Sequence, residues 1–216
     1  MPGPGEQSPK ITISVDELSA ARESDKTPIV VDVRWKLGDP AGHDAYLAGH
    51  IPGAVYADLE TELAAPASGA VGGRHPLPDI TDLQASARRW GVDDDSSVVV
   101  YDDWGNLAAA RLWWLLRWAG VADVRLLDGG WGAWRAAGGV VATGDEADRS
   151  TGSVTLGPGH LPVVTIDDVA ASTTTVLDAR AAERYRGDVE PVDPRAGHIP
   201  GAVSAPTTDN LDADGH

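Results

Sequence analysis

Any chemistry in this chain has to be done without sulfur nucleophiles. None of its 216 residues is cysteine. Disulfides, thiolate metal sites and a cysteine nucleophile are therefore excluded within these residues. The six histidines stand at 43, 50, 75, 160, 198 and 216 with no HxxxH-type spacing, so no metal centre is expected. Asp102 closes the apolar run SSVVVYD and precedes the apolar segment LAAARLWWLLRWAG. A carboxylate placed there lies beside a helix N-terminus, whose partial positive charge stabilises it. His50 and His198 each sit in the heptapeptide GHIPGAV, at 49–55 and again at 197–203.

Charge narrows the partners. The formal net charge is −16, which repels phosphate backbones and acidic membrane surfaces. Neither nucleic acid nor membrane is expected as a partner, and the acidity reads as a device for solubility. The N-terminal MPGPGEQSPK has no apolar core of the signal-peptide kind, and no apolar run approaches the ~20 residues of a membrane span. The simplest placement is the cytoplasm, with no cofactor.

The elements that must hold these residues alternate between strand and helix. Residues 1–9 read as a disordered tail. Ile11–Ile13 is a short β-branched run, and the helix after it carries a capping-box spacing, Ser14 with Glu17. Ile29–Val33 is a continuous apolar run, as in a parallel strand buried on both faces. HDAYLAGH predicts a short helix and GAVYADL a strand. Residues 64–80 predict a long loop. TDLQASARRWGV predicts a helix opened by Thr81 or Asp82. SSVVVYDD is the most strand-like segment, LAAARLWWLLRWAG a helix ending at Gly120, VADVRLLDGG a fifth strand and WGAWRAAGG a closing helix. The alternation predicts an α/β fold with a mostly parallel sheet flanked by helices.

The pattern then restarts. VVTIDDVAAS (163–172) parallels ITISVDELSA (11–20), TVLDARAAERY parallels IVVDVRWKLGD, and the second GHIPGAV follows. Asp32 and Asp178 are 146 residues apart, His50 and His198 148. A repeat of that length is a duplicated domain. The expected organisation is a tail at 1–9, a first domain at 10–142, a Gly-rich linker at 143–160, and the beginning of a second domain at 161–216. That second copy should hold its first three strands.

Taken in order, these motifs identify a resemblance. Asp32-Val33-Arg34-Trp35, His50-Ile51-Pro52-Gly53-Ala54, Arg74-His75-Pro76-Leu77-Pro78, Val99-Val100-Tyr101-Asp102, Arg111-Leu112-Trp113-Trp114, Leu127-Asp128-Gly129-Gly130, Asp178-Ala179-Arg180, Arg184-Tyr185-Arg186-Gly187 and the second GHIPGA resemble the two-domain rhodanese-like sulfurtransferases. That group holds the thiosulfate and 3-mercaptopyruvate sulfurtransferases. The resemblance runs from about residue 10 to the last residue.

It implies tandem rhodanese-like domains, the second incomplete. It also implies sulfur transfer through a cysteine persulfide, from a small anionic donor (thiosulfate or 3-mercaptopyruvate) to a thiol or cyanide acceptor. Asp102 stands at the nucleophile position of the first domain, which is then the non-catalytic one. The cysteine is expected beyond His216, so this chain is truncated and inactive alone, or is completed by a second polypeptide. Arg184 and Arg195 match donor binding, because a guanidinium suits thiosulfate or a carboxylate. The alternative for Arg184 is a surface pair with Glu183 or Asp188.

His75 and Glu60 match an interdomain proton-handling pair, with a loop histidine bonded to backbone as the alternative. Asp58 reads as a neighbour of that acid in structure only. Trp35 matches an aromatic facing the cleft, with core packing as the alternative. His50, His198, Asp32 and Asp178 recur in both copies, only one of which can be catalytic, and so read as structural. A different class of function, a cysteine-free binding or regulatory module, stands beside the enzymatic reading.

Overall fold

The computed structural model describes residues 10–66, 73–147 and 149–212. The tail at 1–9 and part of the 64–80 loop lie outside the described residues. The chain separates into two compact units, divided between Leu161 and Pro162.

In the first unit the elements alternate as β1 (Thr12–Ile13), α1 (Val15–Arg22), β2 (Ile29–Asp32), α2 (Gly42–Ala48), β3 (Val55–Tyr56), α3 (Ile80–Arg89), β4 (Ser97–Tyr101), α4 (Ala109–Trp118), β5 (Asp123–Leu127) and α5 (Gly130–Ala136). Five strands form one sheet in the order β1-β5-β4-β2-β3, with every pairing parallel. The apolar runs explain the central place of β2 and β4. All four residues of β2 are buried, as are Val98 to Tyr101 of β4. Side chains alternate across the sheet. Val98 and Val100 pack with Leu83, Leu112, Leu115 and Leu116 on one face. Val99 and Tyr101 pack with Leu18, Ile51, Leu127 and Trp134 on the other.

Ser14 and Glu17 form the capping box expected of α1. For α3 the expected start at Thr81 or Asp82 is corrected. The cap is Asp79, whose side chain accepts the Thr81 N–H, and the helix begins at Ile80. Asp79 sits one residue outside the helix in extended backbone, where a carboxylate can turn back onto a free N–H.

Of residues 143–160, expected as a linker, the described ones run along the first unit as a strap. Val154 and Leu156 are buried in its core. Main-chain bonds join Val154 to Val92, Gly157 to Ala119 and His160 to Trp118. Just before the strap, Ala142 forms an antiparallel bridge with His50. A polar, Gly-rich composition suits a linker, but it equally suits a segment that lies in a groove of main chain.

The second unit comprises α6 (Ile166–Ala171), β6 (Leu177–Asp178), α7 (Ala182–Arg186), β7 (Val203–Ser204) and a 3-10 turn at Thr207–Asn210. β6 and β7 pair in parallel. Three strands were expected, and two are found among the described residues. In the first unit β1 is a strand because β5 pairs with it. Val163 and Val164, the counterparts of that strand, are exposed and have no such partner.

Candidate functional site

One set of side chains recurs in both units. Asp32, at the end of β2, is fully buried and takes a bidentate ion pair from Arg34. Arg34 also donates to the carbonyls of Ala45 and Gly49. Two buried opposite charges persist because each is paired and hydrogen-bonded. In the second unit Arg180 pairs with Asp178 and donates to the Gly197 carbonyl.

Tyr46 stacks on His50 at 4.0 Å, and Tyr185 on His198 at 3.8 Å. The hydroxyl of Tyr46 donates to Ala54 O at 2.8 Å, that of Tyr185 to Ala202 O at 2.9 Å. His50 Nδ1 lies 2.9 Å from Tyr46 O, His198 Nδ1 2.7 Å from Tyr185 O. These contacts fix the turn that the GHIPGAV motif makes.

Three expected site residues of the first unit meet in one cluster. Trp35 follows β2, Glu60 follows β3, and His75 lies on the loop before α3. The Trp35 indole N–H donates to Glu60 Oε1 at 2.8 Å. His75 Nε2 lies 3.2 Å from the same oxygen. The Trp35 and His75 rings meet edge to face, 5.1 Å between centroids. Trp35 and Glu60 line an open cleft of about 410 Å³ together with Lys36, Tyr56 and Asp58. It opens at the C-terminal ends of β2 and β3, beside the place where the strand order reverses, where open parallel sheets carry their sites. Asp58 does not join the cluster. It accepts the Thr61 N–H, and its own N–H goes to Glu62.

Asp102 leaves the end of β4 and turns inward. Its Oδ1 accepts the N–H groups of Trp104 and Asn106, both at 2.8 Å. Its Oδ2 accepts those of Ala108 and Ala109, at 2.8 and 3.0 Å. The loop curls around the carboxylate with Gly105 and Asn106 in the left-handed region, φ 65° and 61°, which those two residue types tolerate. Burial pushes the Asp102 pKa up from the ordinary carboxylate value, and the four amide donors, Ala109 foremost, pull against it.

Arg184 and Arg195 belong to the second unit. Arg184 pairs with Glu190 at 2.7 Å and Asp193 at 2.8 Å, not with Glu183 or Asp188. Arg195 is exposed and lines a cavity of about 460 Å³ with Asp178, Arg180 and His198.

Two functional supports escape the sequence reading. Arg111 donates to the carbonyls of Leu63, His75 and Pro76, pinning the loop that carries His75. Glu146 reaches from the strap to the first GHIPGAV turn. It lies 3.1 Å from His50 Nε2 and accepts the Gly53 N–H at 2.6 Å. The signal for Arg111 was its place in the RLWW motif, but its targets are carbonyls that only the folded chain brings near. Among the described residues no cluster of His, Asp or Glu could hold a metal ion, and no helix is long and apolar enough to cross a membrane.

This fold and its sites define an α/β protein with a parallel sheet and a polar loop cradle at the C-terminal end of its central strand. Residues 14–137 match the rhodanese-like domain family. The chain is 47% identical over 211 residues to SseB of Mycobacterium tuberculosis, named for thiosulfate sulfurtransferase, covering 95% of this chain and 74% of that protein. It is 34% identical over 215 residues to the 3-mercaptopyruvate sulfurtransferase of Escherichia coli, covering 85% of this chain and 71% of that one. The crystal structure of the E. coli 3-mercaptopyruvate sulfotransferase SseA aligns with a TM-score of 0.80 at 30% identity, over 96% of this chain and 78% of that chain. The chain belongs to the rhodanese-like sulfurtransferases.

Proposed function

We propose that this chain belongs to a sulfurtransferase that moves sulfane sulfur from thiosulfate or 3-mercaptopyruvate to a thiophilic acceptor through a cysteine persulfide. In that reading residues 10–142 are the non-catalytic domain and residues 161–216 begin the catalytic one. The observation that carries it is Asp102. Its carboxylate fills the loop cradle at the nucleophile position with four N–H bonds, and no residue of the chain is cysteine.

With thiosulfate, a thiolate attacks the outer sulfur. The S–S bond to the sulfonate breaks and sulfite leaves with the electron pair. The resulting persulfide then passes its terminal sulfur to cyanide or a thiol. A carboxylate has no sulfur to carry and cannot take the first step. These 216 residues therefore do not turn over alone, and a polypeptide carrying the cysteine completes the site.

The remaining residues take supporting roles in this reading. Arg195 lines the second unit's cavity beside Arg180, which Asp178 already holds, and there meets an anionic donor. Arg184 joins donor binding when the donor displaces the exposed Asp193. His75 exchanges a proton at Nε2, with Glu60 oriented against it by Trp35.

The test is an assay with thiosulfate and cyanide, reading thiocyanate, and with 3-mercaptopyruvate and a thiol, reading pyruvate. The 216-residue chain should stay at background. The same chain supplied with the cysteine-bearing remainder should turn over. Turnover by the 216 residues alone, well above background, overturns the reading.

A further inference from the structure

Arg111 carries a charge that no carboxylate meets. It stands in the first turn of α4, close to Ala109, whose N–H holds Asp102 Oδ2. Among the described residues no ion pair includes it, and burial alone pushes its pKa down from the ordinary arginine value. A guanidinium taken out of water in this way needs other acceptors to offset the loss. Every acceptor it has is a carbonyl of the loop between β3 and α3. Nε and Nη2 both donate to Leu63 O, at 3.1 and 3.0 Å. Nη2 also reaches His75 O at 3.1 Å and Pro76 O at 2.9 Å.

These carbonyls belong to two stretches of the loop. Leu63 lies on the stretch that carries Glu60, and His75 on the one that leads into α3. One long main-chain bond also joins them, Ala65 N to Pro76 O at 3.3 Å. Arg111 ties both stretches to a helix that Leu112, Leu115 and Leu116 seat in the core. A planar fork serves carbonyls of both stretches at once, which an ammonium on its flexible stem does not reproduce. The side chains those stretches present hold each other weakly. Glu60 is about half exposed, and its Oε1 stands 3.2 Å from His75 Nε2. An exposed pair gains little from its own attraction, so its spacing has to come from the main chain beneath it.

We propose that Arg111 is a positioning residue for the Glu60–His75 pair. Its guanidinium fastens the main chain of both stretches to α4 and so sets the distance between His75 Nε2 and Glu60 Oε1. The catalytic meaning of this role rests on the sulfurtransferase reading, in which that pair moves a proton. The spacing itself does not.

The test follows the His75 ring and Trp35 indole signals of the 216-residue chain by NMR, with and without Glu60→Gln. In the parent background both should move, because Glu60 Oε1 meets both. In the Arg111→Lys background the His75 response should be lost while the Trp35 response stays. The turn that carries Glu60 is tied separately, by Glu62 to the Asp58 N–H and to Arg89. Arg111→Met should act the same way, and if that variant does not fold, Arg111→Lys decides. A His75 response as large in the Arg111→Lys background as in the parent overturns the proposal. So does a parent chain in which His75 ignores Glu60→Gln. Loss of both responses, or unfolding of the Arg111→Lys chain, would make Arg111 a general support of the loop and overturn the positioning role. Turnover is not read, so a failed sulfur-transfer assay and a failed positioning are told apart.

Discussion

The indole N–H of Trp35 donates to Glu60 Oε1 at 2.8 Å, the same oxygen that stands 3.2 Å from His75 Nε2. One carboxylate oxygen therefore ties an aromatic to an imidazole at the mouth of a cleft. Glu60 is about half exposed, with a relative side-chain area of 54%, so the cluster contributes little to stability. Trp35→Phe and Glu60→Gln should each cost less than about 1 kcal/mol in urea unfolding. In a chain that carries the persulfide cysteine, His75→Ala should lower kcat on the order of a hundredfold if the imidazole moves a proton. An unchanged kcat would assign the cluster to packing.

Asp102 is held differently, because four main-chain N–H groups depend on it. Asp102→Ala leaves those donors buried without an acceptor, at a cost of about 3–5 kcal/mol. Asp102→Asn keeps one acceptor oxygen and should cost clearly less. Equilibrium denaturation of both variants checks the order. A loss below about 1 kcal/mol for the alanine variant would mean that water replaces the carboxylate and the loop is not a closed cradle.

These two sites were legible to different degrees. The place of Asp102 could be read from the chain, because an apolar β run followed by an apolar helix leaves one loop between them. Its four donors could not, since Gly105 and Asn106 curl the loop in a way their types permit but do not require. The parallel sheet followed from the buried runs at Ile29–Val33 and Val98–Tyr101. The strap did not. Val154 and Leu156 alternate with polar residues as an edge strand would, yet the segment's four Gly among mostly polar residues read as linker. The start of α3 was missed because Asp79, Thr81 and Asp82 are all competent caps, and the choice depends on where the preceding loop arrives.

In the second unit Glu190 anchors Arg184. Its carboxyl is pulled down to about 2, first by the N–H of Asp193 and then by Arg184. The unfolded value is about 4.3. A depressed carboxyl stabilises the fold in full above the unfolded value. That contribution fades as the pH falls from about 4.3 toward about 2. Carbon NMR of the Glu190 carboxyl should show titration near the lower value. Arg184→Ala should move it upward. A native titration at the ordinary glutamate value would mean that the Arg184 pair is not held in solution, and would leave that guanidinium available to a donor.

The strap offers the sharpest stability test, because it is fastened at points far apart in the sequence. Glu146 is held below the usual carboxylate range, chiefly by the Gly53 N–H and then by His50. By the same sign argument its contribution is complete above about pH 4.3 and is lost on acidification through the lower native value. Glu146→Ala should cost about 1–2 kcal/mol at neutral pH, and the difference from the parent chain should shrink in acid. Farther along, a Cβ at Gly152 would run into the main chain of Val92. The strap there has no room to shift without breaking the bonds from Gly152 N to Arg88 O and from Val154 N to Val92 O. Gly152→Ala should therefore speed amide exchange at Val154 and Gly157 while leaving β4 protected, at a cost of about 2 kcal/mol or more. Both outcomes follow if the strap is part of the first unit's fold. If Gly152→Ala changes stability by less than about 0.5 kcal/mol and exchange at Val154 is already fast in the parent chain, the segment is a linker after all, and the carboxylate on His50 is not an anchor of the domain.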